Sequence, residues 1–225
     1  MNAIILAAGM GTRLRPLTND IPKCLVPVNG TPMVERQIQF LLEAGITDIT
    51  LVSGYKRERL DYLKEKYGVK IVFNTKFEVC NNIWSMYSVM DRFSDTYVIE
   101  GDVYMSRNCF TRNLDRSTYF SVWKEQPVNE WGLAVDEKNR LTAINIGEVT
   151  GFIMSGISYW KAADCARIVD RIQEIVATRD YTDLFWDQVV LELYPEFDIQ
   201  VRRFDDIHEI DTVEELRALE VELLG

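Results

Sequence analysis

Three cations and a run of small residues share the first 23 positions of the chain. Ala7-Ala8-Gly9-Met10-Gly11-Thr12 follows the short apolar run Ala3 to Leu6, and Arg13, Arg15 and Lys23 come directly after it. Small residues let a backbone pass close to a ligand and take turns that a Cβ would block. Exposed amide N–H groups in such a loop suit a phosphate, and the nearby guanidinium and ammonium groups add charge. An ordinary strand-to-helix turn with surface charges would also show glycines. The strand, the small-residue loop, the Thr12-Arg13 pair and a downstream Pro22-Lys23 together favour the phosphate loop. Neither common form of that loop is present: there is no G-x-x-x-x-G-K-[ST], and Leu14 stands where G-x-G-x-x-G needs its third glycine.

Carboxylates and rings supply the other chemistry. Asp102 follows the apolar run Thr96 to Ile99, in Glu100-Gly101-Asp102. A carboxylate at such a strand end suits Mg2+, a hard ion that takes one or two protein carboxylates together with phosphate oxygens. A strand-end Asp that only satisfies backbone amides would look the same. Asp211, with Glu209 beside it, precedes a helix, a place where the helix dipole alone favours an acid. The second half interleaves Trp123, Trp131, Trp160, Tyr181, Phe185 and Trp186 with Glu125, Glu130, Asp183 and Asp187. Core packing accounts for any single ring. Yet Asn129-Glu130-Trp131 interrupts a polar segment, and the stretch from Tyr181 to Asp187 mixes rings with acids. That mixture is what a quaternary ammonium requires: it has no N–H to donate, so ring faces and unlike charge must hold it.

The elements that position these groups follow from periodicity. Thr31-Pro32 opens a helix whose apolar face is Val34, Ile38, Leu41 and Leu42, ended by Gly45. A strand spans Asp48 to Ser53 and runs into Gly54-Tyr55; a charged helix spans Lys56 to Tyr67, closed by Gly68; a third strand spans Val69 to Phe73. Strands alternating with helices indicate βαβ units and a parallel sheet, with the first loop at its carboxyl edge, where ligands sit. Asn81-Asn82 reads as a cap for a helix Ile83 to Phe93. Beyond Thr96 to Ile99, the segments Ser117 to Lys124, Gly132 to Val135, Leu141 to Ile146 and Phe152 to Tyr159 read as antiparallel strands, with Asp136 to Asn139 a hairpin turn. Helices return at Ala162 to Thr178, Thr182 to Leu193 and Val213 to Leu224, the last begun by a Thr212/Glu215 capping box. The expectation is one α/β domain over 1–225: a Rossmann-like mixed, mostly parallel sheet with helices on both faces. Residues 1–103 form its nucleotide-binding half, and 104–225 its acceptor-binding half with a C-terminal helix.

Composition narrows the class. The 225 residues are 47% hydrophobic and 27% charged, enough for one sizeable core. A formal charge of −10 argues against nucleic acid or an anionic membrane as partner. No stretch reaches the ~18 apolar residues of a membrane span, and no charged leader precedes the first apolar run. Cys24, Cys80, Cys109 and Cys165 share no metal-ligand spacing, and His208 is the sole histidine. A cytoplasmic protein is expected.

The pattern A-A-G-x-G-T-R-L-x-P-L-T-x-x-x-P-K, filled from Ala7 to Lys23, resembles the signature of the nucleotidyltransferases that join a nucleoside triphosphate to a phosphorylated small molecule. The resemblance implies that the loop wraps the triphosphate through Gly9, Gly11 and Thr12, that Arg13 and Lys23 grip it, and that backbone from Leu6 through Ala7 and Ala8 to Gly9 meets the base. It also implies a catalytic Mg2+ on Asp102 and Asp211, and places Gly54, Tyr55 and Asn82 near the base and ribose. Further runs, among them Tyr62 to Gly68, Ser117 to Val122, Asn129-Glu130-Trp131, Asp183 to Asp187 and Glu209-Ile210-Asp211, look like the bacterial choline-phosphate cytidylyltransferase branch. That branch implies CTP and phosphocholine as substrates, CDP-choline and diphosphate as products, and an acceptor pocket of Trp131, Tyr181, Trp186 and Asp187. Sugar-1-phosphate, phosphoethanolamine or aminoethylphosphonate are the alternative acceptors, and a non-catalytic nucleotide-binding subunit is the alternative of another class. Oligomeric state is not legible.

Overall fold

Strand β1 (Asn2–Ala7) sends alternate side chains into two different cores. Ala3, Ile5 and Ala7 join one cluster and Ile4 and Leu6 the other, the period-two division of a strand buried on both faces. The computed structural model describes residues 1–224. After β1 come a two-residue hairpin, β2 (Pro27–Val28) and β3 (Thr31–Pro32), then α1 (Met33–Glu43), β4 (Ile49–Ser53), α2 (Tyr62–Tyr67), β5 (Lys70–Phe73), α3 (Ile83–Tyr87) and β6 (Thr96–Glu100). The second half runs β7 (Val103–Met105), β8 (Ser117–Val135), β9 (Leu141–Trp160), α4 (Ala162–Thr178), α5 (Asp187–Leu193), β10 (Ile199–Arg203), β11 (Ile207–Glu209) and α6 (Val213–Glu222).

Seven strands form one mixed sheet in the order β10-β8-β9-β6-β1-β4-β5. β6, β1, β4 and β5 are parallel, whereas β9 runs antiparallel to both β6 and β8. Helix α1 packs Val34, Ile38 and Leu41 under one face; α3, α4 and α5 cover the other through Ile83, Met86, Ile168, Ile172 and Val190. Each such side chain contributes ~1.5–3 kcal/mol by leaving water. The carboxyl ends of β1, β4 and β6, at Ala7, Ser53 and Glu100, therefore share one edge of the sheet. Helix α6 carries the expected capping box and lays Leu216 and Leu219 against Leu14, Val26, Val28 and Ile210, clamping the segment that follows the opening loop.

Four sequence expectations change, one of them the helix Ile83 to Phe93, which ends at Tyr87 and gives way to a 3-10 turn at Met90–Arg92. The charged helix from Lys56 is a 3-10 turn (Arg57–Leu60) followed by the shorter α2. The four antiparallel segments fuse into two long strands, because β8 and β9 pair along nearly their whole length across several register shifts. Gly132 faces Ile153 as well as Asn145, so the outer part of this hairpin folds back against its own base. The helix expected from Thr182 begins only at Asp187: the carbonyls of Thr182 and Leu184, which a helix would need, accept instead from the amides of Asn81 and Ile83, at 2.7 and 3.4 Å. β10, with Ile199 and Val201 buried, is a strand in the stretch between two expected helices to which the sequence assigns no element.

Candidate active site

The opening loop leaves β1 and turns through Gly11 in the left-handed region, at φ 58°. A Cβ there would also lie 2.8 Å from the Lys23 Cβ, so glycine both makes the turn and lets the Lys23 stem pack against it. Thr18 Oγ1 donates to the Gly11 carbonyl at 2.7 Å and ties the loop down. Among the described residues, none of the amides of Gly9, Met10 and Gly11 donates a hydrogen bond within the protein, which leaves them for an anion. β4 supports the loop from beneath. Tyr55 donates its amide to the Ala8 carbonyl at 3.1 Å and its hydroxyl to the Thr18 and Asn19 carbonyls, each at 3.1 Å.

Lys23 lies between two carboxylates, its Nζ 2.5 Å from Asp102 Oδ2 and 2.5 Å from Asp211 Oδ1. Arg13 meets the other Asp211 oxygen at 2.8 Å. Burial opposes the Lys23 charge, but the two carboxylates outweigh it and hold the ammonium above the usual lysine range. The backbone joins the two acids as well, for the Ile210 amide donates to the Asp102 carbonyl at 3.1 Å. Asp102, Glu209 and Asp211 offer oxygens within 4.8 Å of one another. Glu209 opens onto the cleft, yet the water stripped away by the surrounding protein, together with the Asp102 and Asp211 charges, pushes its carboxyl up to about 8. Asp102 Oδ1 is buried with no hydrogen-bond partner. An orphaned carboxylate oxygen within an all-oxygen donor set fits a hard divalent cation.

Two cavities meet at this point. The smaller, about 270 Å3, is lined by Leu6, Ala7, Ala8 and Gly9 of the loop and by Asn74, Phe77, Cys80, Asn81 and Ser85 opposite. The larger, about 540 Å3, is lined by Gly11, Thr12, Arg13, Glu130, Trp131, Trp186, Asp187, Glu209 and Asp211, among others. Gly9, Lys23, Asn82, Glu100, Asp102 and Phe185 line both. Asn82 holds the N-cap position of α3, but its side chain turns to this seam instead of capping: Nδ2 donates to Glu100 Oε1 at 3.1 Å, and Oδ1 accepts from the Trp186 amide at 2.8 Å. The fold-back of the β8–β9 hairpin is what brings Glu130 and Trp131 to the larger cavity.

Three expected contacts fall elsewhere. Gly54 and Tyr55 line neither cavity; a Cβ on Gly54 would meet the Ala8 carbonyl oxygen at 2.4 Å, so the pair buttresses the loop. Tyr181 also lines neither. Its ring stacks on Trp84 at 5.7 Å, and its hydroxyl accepts from Lys76 Nζ at 2.6 Å, so both face and hydroxyl are engaged. Of the remaining rings, Trp160 is fully buried, Trp123 packs edge-on against Phe152, and Trp186 is 2% exposed, edge-on to Trp160. Two rings at the larger cavity lie outside the expected pocket. Phe185, 46% exposed on the seam, sits within the Tyr181 to Asp187 run that the sequence marks, but exposure has no sequence signal. Tyr119 reads as a core residue of an alternating strand, and it is buried; its hydroxyl nevertheless has no hydrogen-bond partner and neighbours Asp187. Burial pushes the Asp187 carboxyl up to about 7 and, with Asp102 and Asp187 nearby, raises Glu100 well above the carboxylate range.

The nucleotidyl transferase family model matches residues 2–138. A choline-phosphate cytidylyltransferase of Streptococcus pneumoniae is 46% identical over 98% of this chain and 97% of its own length. A 2-aminoethylphosphonate cytidylyltransferase of Lancefieldella rimae is 36% identical over 97% of this chain and 92% of its own. The solved structure of the CTP:phosphocholine cytidylyltransferase from Streptococcus pneumoniae superposes with a TM-score of 0.96 at 45% identity, covering 100% of this chain and 99% of that one.

Proposed function

The chain belongs to the nucleotidyl transferase family, and from its full-length likeness to choline-phosphate cytidylyltransferases we infer that it is one, joining CTP and phosphocholine into CDP-choline with release of diphosphate. The observation that carries the reading is the pair of cavities whose shared walls include Lys23 and Asp102. CTP takes the smaller cavity, its base toward Leu6 to Gly9 and its phosphates along Gly9, Gly11 and Thr12. Phosphocholine takes the larger, its ammonium toward Trp131, Trp186 and Asp187, with Phe185 and Tyr119 as further ring faces. The two ligands then meet only at their phosphates.

One acceptor phosphate oxygen attacks the α-phosphorus of CTP in line; the bond from that phosphorus to the bridging oxygen breaks, and diphosphate leaves with the electron pair. The second ionisation of a phosphate monoester lies near ~6, so the attacking oxygen is already anionic at neutral pH and no general base is needed. Catalysis is positioning and charge neutralisation. Lys23 and Arg13 offset charge on the α-phosphate and the departing diphosphate, and the free loop amides hold the phosphate chain. Asp102 and Asp211, with Glu209 beside them, would hold Mg2+, which when bound offsets negative charge on the phosphates. The domain works as one unit, residues 1–103 serving the nucleotide and most of the acceptor wall coming from 104–225. No described helix is long and apolar enough to cross a membrane.

A panel of CTP, UTP, ATP and GTP crossed with phosphocholine, phosphoethanolamine, 2-aminoethylphosphonate and glucose-1-phosphate, read by diphosphate release, tests this. CTP with phosphocholine is expected to lead by a wide margin; a faster reaction with another acceptor would reassign the larger cavity.

A further inference from the structure

Helix α1 presents Val34, Ile38 and Leu41 to the core, all fully buried, and position 37 lies on the same face, three residues after Val34 and four before Leu41. An apolar side chain is expected there, yet the residue is Gln37, also fully buried. Its amide nitrogen donates to the Glu100 carbonyl at 3.0 Å and to the Val103 carbonyl at 2.7 Å, the two carbonyls that bracket Gly101-Asp102. Both partners are acceptors, so the NH2 end must face them. The Gln37 Oε1 is left buried without a partner. A core helix tolerates such an orphan only where the other end of the amide is needed.

The same turn is held from two other sides. The Gly101 amide donates to the Leu6 carbonyl at 2.9 Å, and the Asp102 carbonyl accepts from Ile210, beside Asp211. Gln37 supplies the third tie, and the one that comes from a side chain. We infer that Gln37 is a positioning residue: by clamping the carbonyls on either side of Asp102 it fixes that carboxylate against Lys23 and, through the Ile210 bond, against Asp211. The inference rests on the reading of Asp102 and Asp211 as the metal-binding pair.

Gln37→Met keeps the length and fills the space but removes both donors. The expected result is a fall in kcat of about tenfold or more and a comparable weakening of Mn2+ binding to the free enzyme, read by water-proton relaxation, the range seen when a partner behind a metal ligand is lost. The KM for CTP should stay close to wild type, because the rest of the smaller cavity is untouched. Ile38→Val, on the same helix face, is the control: it lowers the melting temperature and leaves kcat and Mn2+ binding unchanged. If Gln37→Met melts lower but matches Ile38→Val in kcat and Mn2+ affinity, Gln37 is only a core residue and the inference falls. Should Gln37→Met not accumulate as folded protein, Gln37→Asn, which withdraws the amide from both carbonyls while keeping its polarity, must show the same split or the inference falls. Asp102→Asn separates the two readings. Lost turnover and lost Mn2+ binding uphold the metal site whatever Gln37 does, whereas wild-type turnover overturns that site and this inference with it.

Discussion

Lys23 touches both carboxylates of the proposed metal pair, and with Arg13 on Asp211 its charge offsets theirs before any ligand arrives. Lys23→Ala is expected to slow turnover by far more than tenfold, since losing a transition-state phosphate contact costs well over ~1.4 kcal/mol; steady-state kinetics at saturating CTP check this. Trp131 lines the larger cavity and not the smaller, which in the proposed reading makes it an acceptor residue alone. Trp131→Ala should raise the phosphocholine KM strongly and leave the CTP KM nearly unchanged, with Trp131→Phe milder because a smaller ring face remains. An equal rise in both KM values would return Trp131 to a packing role. Asp187 should show stability traded for function. Burial lifts its folded-state carboxyl to about 7, whereas an unfolded Asp titrates near ~3.9. Between those values the folded protein binds the extra proton, so stability falls as pH rises through the window and the loss is complete above it. Tyr119 and Glu100 face this carboxylate and offer no cation to reverse the sign. Asp187→Asn should therefore raise the melting temperature above the window, have little effect below it, and weaken phosphocholine binding above the window, where the carboxylate is charged. Melting curves at several pH values, beside the KM, decide it.

Strand ends and the loops they support carry the next level of organisation. The opening loop is held by the β4 end, where Gly54 passes so close that a Cβ would overlap the Ala8 carbonyl oxygen. Gly54→Ala is expected to push that loop outward, raising the CTP KM more than the phosphocholine KM; equal effects would mean a general loss of fold. The Tyr181 to Trp186 segment forms turns rather than helix because its carbonyls serve Asn81 and Ile83, and this pairing seats Phe185 and the Asn82 bridge on the seam between the cavities. Tyr181, stacked on Trp84 and bonded to Lys76, anchors the segment from outside the site.

At the scale of the whole molecule, two cores on opposite faces of one sheet hold the site's edge rigid. Trp160 sits in the second of them, packed edge-on against Tyr119, Trp186 and Phe197. Trp160→Ala should cost ~3–5 kcal/mol of stability while altering the CTP and phosphocholine KM values together rather than separately, as unfolding titrations and kinetics would show. The contrast with Trp131 marks where sequence reading stops. The sequence by itself determined the local features. The run from Ala7 to Lys23 makes a loop with free amides beside cations, because small residues and cations act through their own backbone and charge. The βαβ order follows from hydrophobic period, Asp102 from a strand end, and α6 from its capping box. Tertiary structure alone decided which of six similar rings line a cavity, because exposure depends on what packs opposite. It also decided the fold-back that delivers Trp131, since register shifts between long strands leave no local mark. The same is true of the strand Ile199–Arg203, where the sequence shows no element, and of the turn rather than helical state of residues 181–186. In both, hydrogen bonds to distant backbone outweigh the ~0.7 kcal/mol per residue that intrinsic propensity can offer.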